Sequence, residues 1–413
     1  MAQLNITLNQ EEILQLLSND QGNAFKKILE DSLNTVMKAE SSEQLKAEPY
    51  ERSEERVGSR NGFRERSLTT RIGNITLKVP KHRNCEPFKT LVFENYSRSE
   101  SALILGMAEM VVNGVSTRKV SNVMETLCGK SFSKSTVSEA TKELDEKVNE
   151  WKNRLLLGEY PFLTVDATYF KVREEARVVS KALMIAYATN TDGHREIIGF
   201  EAYKNESKAT WSDFFHKLKK RGLTGVKMIT SDAHEGIKYA ICQEFPTVPW
   251  QRCQFHFSRN IMDKTPAKYQ KGLAGELQEM FNAKTTVEAR KIKDKIISDY
   301  NDIAENAMNT LEDGFESAMT VMVLPTHLRK FFRTSNQIER LNKELKRRSN
   351  VIGIFPNENS LVRLMGSVLL ERNEVLQAGK CVFSKETYKK ITSSDIFNIL
   401  VKIAEVQHQL LAA

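Results

Sequence analysis

The sequence predicts an α/β core interrupted by an all-helical insertion and preceded by a β-hairpin and a helical region. Three observations predict it. Phe162 to Val172, Val178 to Thr189 and Ile197 to Ala202 are successive β-favouring runs, the second almost continuously apolar as in a central strand. An amphipathic stretch around Trp211, Phe214, Phe215 and Leu218 follows, and then a short run from Val226 to Thr230. From Asn260 to about Thr320 the apolar residues keep helical spacing throughout.

Taken in order, Leu4 to Leu45 carries Ile13, Leu16, Leu17, Ile28, Leu29, Leu33 and Val36 at helical spacing. That pattern predicts a small helical element packed on another surface, a second subunit among the candidates. Lys46 to Asn61 is polar and charge-rich and reads as a linker. Leu68, Ile72, Ile75, Leu77 and Val79 flank a Gly73-Asn74 pair, a β-hairpin signal. Arg60, Arg64, Arg66, Arg71, Lys78, Lys81, His82 and Arg83 decorate it, as a solvated basic face or a hairpin lying along a phosphate backbone. Residues 99–152 read as helices: Gly114 stops the first, Ser116 or Thr117 caps the second, and Ser133 or Ser135 caps the third. Two short helices about a Gly-containing turn are similar to a helix-turn-helix. Arg118, Lys119, Lys134, Ser135 and Thr136 at their starts are candidate DNA contacts.

Three antiparallel strands, a helix and a fourth strand follow the order of the RNase H-like fold. Asp166 falls in the first of these strands and Asp232 just after the fourth. A helix carrying Ile237, Ala240, Ile241 and Phe245 is expected next, closed by Pro246, with Val248, Trp250 and Arg252 forming an edge-like strand. Leu273, Leu277, Met280, Phe281, Ile292, Ile296 and Ile297 mark the buried stripe of the insertion. A further helix starts near Ser335 with Asn336 as a candidate cap and Ile338, Leu341 and Leu345 inward. Glu339 lies off that stripe, and Lys346, two turns on, shares its side. The implied segments are an N-terminal helical element and linker (1–57), a basic hairpin region (58–95) and a helix-turn-helix-like domain (96–157). The core follows in two parts (158–258 and 326–372) around the insertion (259–325), with a C-terminal helical region (373–413).

At 413 residues, with 40% apolar and 28% charged residues, the composition is that of a globular protein with proper cores. The formal charge of +8 fits a polyanionic partner without requiring one. No run approaches the roughly 18 apolar residues that span a bilayer, and the start is no signal peptide. Five scattered cysteines suit a reducing cytoplasm. Without a GxxxxGK[ST] sequence, no nucleotide cofactor is expected.

Carboxylates from separate segments are what phosphodiester chemistry with two divalent cations requires, and hard oxygen donors suit Mg²⁺ or Mn²⁺. Cys253 and His256 offer two soft ligands where structural zinc takes four, and Cys242 is the other thiol nearby. A packed thiol with a hydrogen-bonded imidazole, or a DNA-facing pair, are the other readings. Arg340, Lys343, Lys346, Arg347 and Arg348 are either a solvated helix face or phosphate clamps, and clamps are expected beside carboxylates working on DNA.

The chain resembles the mutator-type transposases of bacterial insertion sequences over nearly its whole length. The resemblance is carried by RNGFRERSLTTRIGNITLKVPKHR, GVSTRKV, FLTVDATYFKVRE, ITSDAHEGIKYAI, WQRCQFHFSRN and SNQIERLNKELKRRSNVIGIFPN, in that order. It implies a DDE triad at Asp166, Asp232 and Glu339, which also hold the two metal ions. It implies that Cys253 and His256 form the C-x-x-H motif, and that Lys346 is the basic residue seven positions after the glutamate. Where other DDE families place tyrosine and arginine before that glutamate, this chain has Phe332 and Ser335. Metal-dependent cleavage and joining of DNA at terminal inverted repeats and target is the implied activity. A homodimer or larger assembly on double-stranded DNA is expected in the bacterial cytoplasm, associated with the nucleoid. A structure-specific nuclease that never joins strands, or a DNA-binding regulator with an inactive nuclease fold, are the rival expectations.

Overall fold

Gly73 opens the second strand of a long antiparallel hairpin, β1 (Ser59–Thr70) and β2 (Gly73–Arg83), paired from Ser59↔Arg83 to Thr70↔Gly73. Gly62, at φ +69°, sits at a register shift between Arg60 and Phe63, where the extra residue of a bulge needs the left-handed region. The computed structural model describes residues 21–51, 55–70, 73–90, 92, 101–128, 132–142 and 144–412. Arg71, Ile72, Gly129 and the N-terminal pattern before Gln21 lie outside them.

The chain divides into two units, Met1–Glu143 and Leu144–Ala413. In the first, helix α1 (Gln21–Leu45) packs on the hairpin, with Leu29, Leu33 and Met37 against Leu68, Ile75, Leu77 and Val79. The surface that α1 covers is therefore the hairpin of its own chain. Its polar side chains also serve the strand edge: Glu30 Oε1 accepts from the Thr76 amide at 3.1 Å, and Asn34 Oδ1 from the Lys78 amide at 2.8 Å. Edge amides that would otherwise invite a foreign strand are thus occupied. Helices α2 (Ser101–Val112), α3 (Thr117–Cys128) and α4 (Lys134–Lys142) share a small core of Met107, Val120, Met124, Phe132, Val137 and Ala140. Ser133 caps α4, its hydroxyl accepting from the Thr136 amide at 3.0 Å.

In the second unit, β3 (Phe162–Glu174), β4 (Arg177–Thr189), β5 (Arg195–Tyr203), β6 (Met228–Ser231) and β7 (Trp250–Arg252) form one mixed sheet, ordered β5-β4-β3-β6-β7. The first three are antiparallel, and β6 and β7 join parallel to β3. Parallel neighbours need a crossover, and the helices α6 (Lys208–Lys220) and α7 (Glu235–Glu244) supply it. Both cover one face: Leu163, Val165, Met184, Ala186 and Ile198 bury against Trp211, Phe214, Phe215, Ile237 and Ile241. On the opposite face α5 (Leu144–Asn153) stacks Trp151 on Phe200, with ring centroids 5.6 Å apart. Helix α5 falls with the preceding helices under the sequence boundary at 157. Its indole and the buried Val148 assign it to the sheet-bearing unit.

Helices α8 (Gln254–Asp263), α9 (Ala267–Asn282) and α10 (Thr286–Ala318) make the helical segment after β7. They close their own core with Leu273, Leu277, Met280 and Ile296 buried and Phe281, Ile292 and Ile297 partly so. Helix α10 breaks at Ala304, where φ is −149° and ψ 57°. The chain then returns through α11 (Thr326–Phe332) to α12 (Asn336–Ser349) and α13 (Glu358–Gln377). The last helices, α14 (Lys385–Thr392) and α15 (Ile396–Ala412), finish the sheet rather than extend away from it. Phe162 stacks on Phe332 at 4.0 Å, and Gln407 exchanges hydrogen bonds of 2.8 and 2.9 Å with the backbone of edge residue Trp250. Among the described residues no helix is long and apolar enough to cross a membrane.

Candidate active site

The parallel pairing of β3 with β6 aligns Thr164 with Thr230. Asp166 and Asp232 each follow two residues later, so the two carboxylates leave adjacent strands at the same level. Asp166 is 8% exposed; its Oδ1 accepts from the Ala167 amide at 3.0 Å, and its Oδ2 from Asn342 Nδ2 of α12 at 2.8 Å. Burial, and then the charge of Asp232, push the Asp166 carboxyl up to about 7, against the pull of His256. Asp232 is half-buried and accepts from the His234 amide at 3.3 Å.

Glu339 occupies the first turn of α12, where a carboxylate favours the helix dipole. Asn336 was expected to cap that helix. Ser335 takes the position instead, and its hydroxyl lies 3.2 Å from both Glu339 Oε1 and Cys253 Sγ. Cys253 is fully buried, its sulfur also accepting from the Ser335 amide at 3.3 Å, and its own amide donating to the Ser231 carbonyl at 2.7 Å. Cys253 therefore fastens the start of α12, through its sulfur, to the end of β6, through its amide. One turn along α8, His256 places Nε2 3.8 Å from Glu339 Oε1. A hydrogen bond to Cys253 raises the imidazole to about 9 despite burial, helped by the charges of Cys253, Asp166 and Glu339. Burial alone would raise the Cys253 thiol, yet the bonds from His256 and Ser335 leave it below its usual value. Ligand atoms of Cys253, His256 and Glu339 lie within 4.8 Å of one another.

Several residues here carried no sequence signal or a weak one. Glu206, in the loop before α6, is largely buried, and its carboxyl is raised by burial and by Asp232 while His234 opposes, its Nε2 3.6 Å away. Nothing in its surroundings in the sequence marks it. Asn342 could have been found, because it sits three residues after Glu339 on the same helix face. Lys346 extends that face: its ammonium donates to the Tyr169 carbonyl and lies 4.8 Å over the Phe170 ring. Burial lowers its pKa.

The other cations of α12 are placed differently from the sequence expectation. Arg347 pairs with Glu344 at 2.7 Å. Arg348, expected as a clamp, is 4% exposed and held by Glu344 at 2.8 Å and Glu371 at 3.7 Å, so it is an internal cation. Arg340 and Lys343 are exposed. In the first unit Arg64, Arg83, Arg118, Lys119, Lys134 and Ser135 are exposed, Arg66 and Thr136 half-buried. Arg60 does not stand free as expected: it donates to Ser42 Oγ at 2.9 Å and the Ala47 carbonyl at 2.6 Å, tying β1 to the end of α1.

Residues 1–379 match the family described as Transposase, Mutator family. The chain belongs to the Mutator family of transposases. It is thus an enzyme of DNA transposition. The transposase for insertion sequence element IS256 in transposon Tn4001 of Staphylococcus aureus is 45% identical over 378 residues, 91% of this transposase and 96% of that one. The transposase for element ISRM5 of Rhizobium meliloti is 38% identical, covering 87% and 89% of the two chains. That for IS1081 of Mycobacterium tuberculosis is 35% identical, covering 87% and 88%.

Proposed function

We propose that this transposase has an RNase H-like core in which Asp166, Asp232 and Glu339 form a DDE centre that cleaves and joins DNA strands. One observation carries the reading. Asp166 and Asp232 stand at the same level on neighbouring parallel strands, and the Asn342 bond to Asp166 docks the helix that bears Glu339 against them.

The donor set fits a divalent cation. Burial and a neighbouring like charge hold the Asp166 carboxyl far above its ordinary range, an unfavourable arrangement that a bound cation relieves. Asp166, Asp232 and Glu339 offer hard oxygens suited to Mg²⁺ or Mn²⁺. Two such ions, when bound, supply activation of the attacking oxygen and neutralisation of charge on the leaving one. The chain's own groups do the positioning. Asn342 fixes the Asp166 carboxylate through its amide, and Ser335 and His256 hold Glu339 in place. Lys346 brings positive charge to the Tyr169 end of the site, where it offsets phosphate. Water attacks the element boundary first, freeing a 3′-hydroxyl, and that hydroxyl then attacks a target phosphodiester. Both are in-line displacements without a covalent protein intermediate.

The region from Gly58 to Lys152 binds the terminal inverted repeats, through the exposed cations Arg64 and Arg83 of the hairpin and Arg118, Lys119 and Lys134 at the starts of α3 and α4. Two ends are processed together, so the working form is a dimer or larger. Asp166→Ala, Asp232→Ala and Glu339→Gln should each retain end binding in a mobility-shift assay and lose joining of pre-cleaved ends to a target duplex. A variant that joins ends at the wild-type rate removes its residue from the centre. A wild type that nicks ends but never joins them would point to the nuclease instead.

A further inference from the structure

A pocket of about 520 Å³ opens along α12 between that helix, the end of α13 and the β4–β5 turn. Arg195, Arg340, Lys343, Arg347 and Arg372 border it, against the single carboxylate of Glu344. Glu344 is already bound by Arg347 and Arg348 at 2.7 and 2.8 Å, and a nitrogen of Arg372 lies 3.8 Å from it. Arg340 and Lys343 form no ion pair among the described residues. The rim is therefore strongly cationic. The floor is aliphatic, built from Leu341, Val375 and Leu376. Such a volume is of the size that holds a small organic ligand.

Its place in the fold says which ligand. Tyr187, whose hydroxyl donates to Gln337 Oε1 at the pocket wall, pairs in register with Thr164, two residues before Asp166. Neighbouring strands lie about 4.8 Å apart. The pocket thus opens one strand over from the proposed cleavage centre, on the sheet face that α12 covers. A cationic rim recruits a phosphate, and an aliphatic floor takes the flat face of a ring withdrawn from its stack.

We propose that this pocket receives one unstacked nucleotide of the DNA strand engaged at Asp166, Asp232 and Glu339, its base on Leu341, Val375 and Leu376 and its phosphate on Arg340 and Arg372. The proposal rests on the reading of those three acids as the cleavage centre. A base that leaves the duplex fixes the register of the strand, and so the phosphodiester presented to the acids.

The test uses the full chain and duplexes carrying the element end, with 2-aminopurine placed in turn at each position flanking the boundary. This base fluoresces when unstacked, and an aliphatic floor does not quench it. Binding in EDTA should brighten one position severalfold and leave its neighbours dark. Val375→Trp, at an exposed position of the lining, fills the pocket and should abolish the rise while the duplex still binds. Val375→Phe, a smaller change, should reduce it. Arg372→Gln should weaken binding and lower the salt slope by about one counterion. If no position brightens, or if brightening survives Val375→Trp, the pocket does not hold a base. Weaker binding by Arg372→Gln with no bright position would leave a phosphate track alone and overturn the proposal. Nicking of the same duplexes in Mg²⁺ separates the two readings. Wild type that nicks without any bright position refutes the pocket and spares the centre, whereas a bright position without nicking refutes the centre.

Discussion

The two sides of α12 treat their carboxylates in opposite ways. Facing β3, Glu339 shares its stripe with Ser335, Asn342 and Lys346, and its nearest cation is an imidazole 3.8 Å away. Asp166 opposite is met by two amide donors and, among the described residues, by no arginine, and its carboxyl is raised to about 7. Toward α13, Glu344 takes guanidinium groups at 2.7 and 2.8 Å and a third, of Arg372, at 3.8 Å, and hydrogen bonds from Arg347 and then Arg348 pull it down to about 2, against some burial. A carboxylate proposed to bind a cation is kept clear of fixed ones; a carboxylate that holds the fold is saturated by them. The same helix does both because residues three and four apart share a side.

Breaking the first side should have the largest effect. Glu339→Gln keeps the shape and removes the charge, so nicking should fall by about a thousandfold, the several kcal/mol that metal stabilisation supplies, with the melting temperature unchanged. The reverse outcome, melting lost and nicking retained, would erase the contrast. On the second side Glu344→Gln removes the carboxylate that lies 2.8 Å from the buried Arg348 guanidinium. Chemical denaturation should show a loss of about 3 kcal/mol, the scale for removing one partner of a buried ion pair. The sign of its pH dependence follows from the depressed pKa. The contribution of Glu344 is complete above about 4.5 and is lost as pH falls towards about 2, so the gap between wild type and Glu344→Gln should close over that range.

A finer division lies within the first side. Asn342→Ala leaves every proposed metal ligand in place but frees the Asp166 carboxylate to turn. Nicking should drop about ten- to a hundredfold, as for other groups that orient a metal ligand, with end binding intact. Equal loss in both assays would make Asn342 a structural residue. The smallest effect is expected at Arg347, which shares Glu344 with the buried Arg348 but is itself exposed. Arg347→Ala should leave the melting temperature where it is, because exposed pairs contribute little.

The sheet strands, the Gly73-Asn74 hairpin and the buried stripe of α9 and α10 were legible because each rests on local periodicity. Asp166 was legible as an acid within the first core strand and Asp232 as one just after the fourth, and their shared level follows from the parallel pairing of strands more than sixty residues apart. What escaped was set by tertiary contact. Arg60 and Arg348 look like free cations in sequence, yet one bonds carbonyl oxygens and the other lies buried between two glutamates. Glu206 joins the acids from a loop with no pattern of its own, and the Cys253–Ser335 contact spans 82 residues.

The most direct measurement is single-turnover nicking of a labelled element-end duplex by wild type and Asp232→Ala, each in Mg²⁺ and in EDTA. The account predicts nicks at the element boundary by wild type in Mg²⁺ alone, with the variant binding the duplex and cutting nothing. Cleavage by Asp232→Ala in Mg²⁺, or by wild type in EDTA, would contradict it.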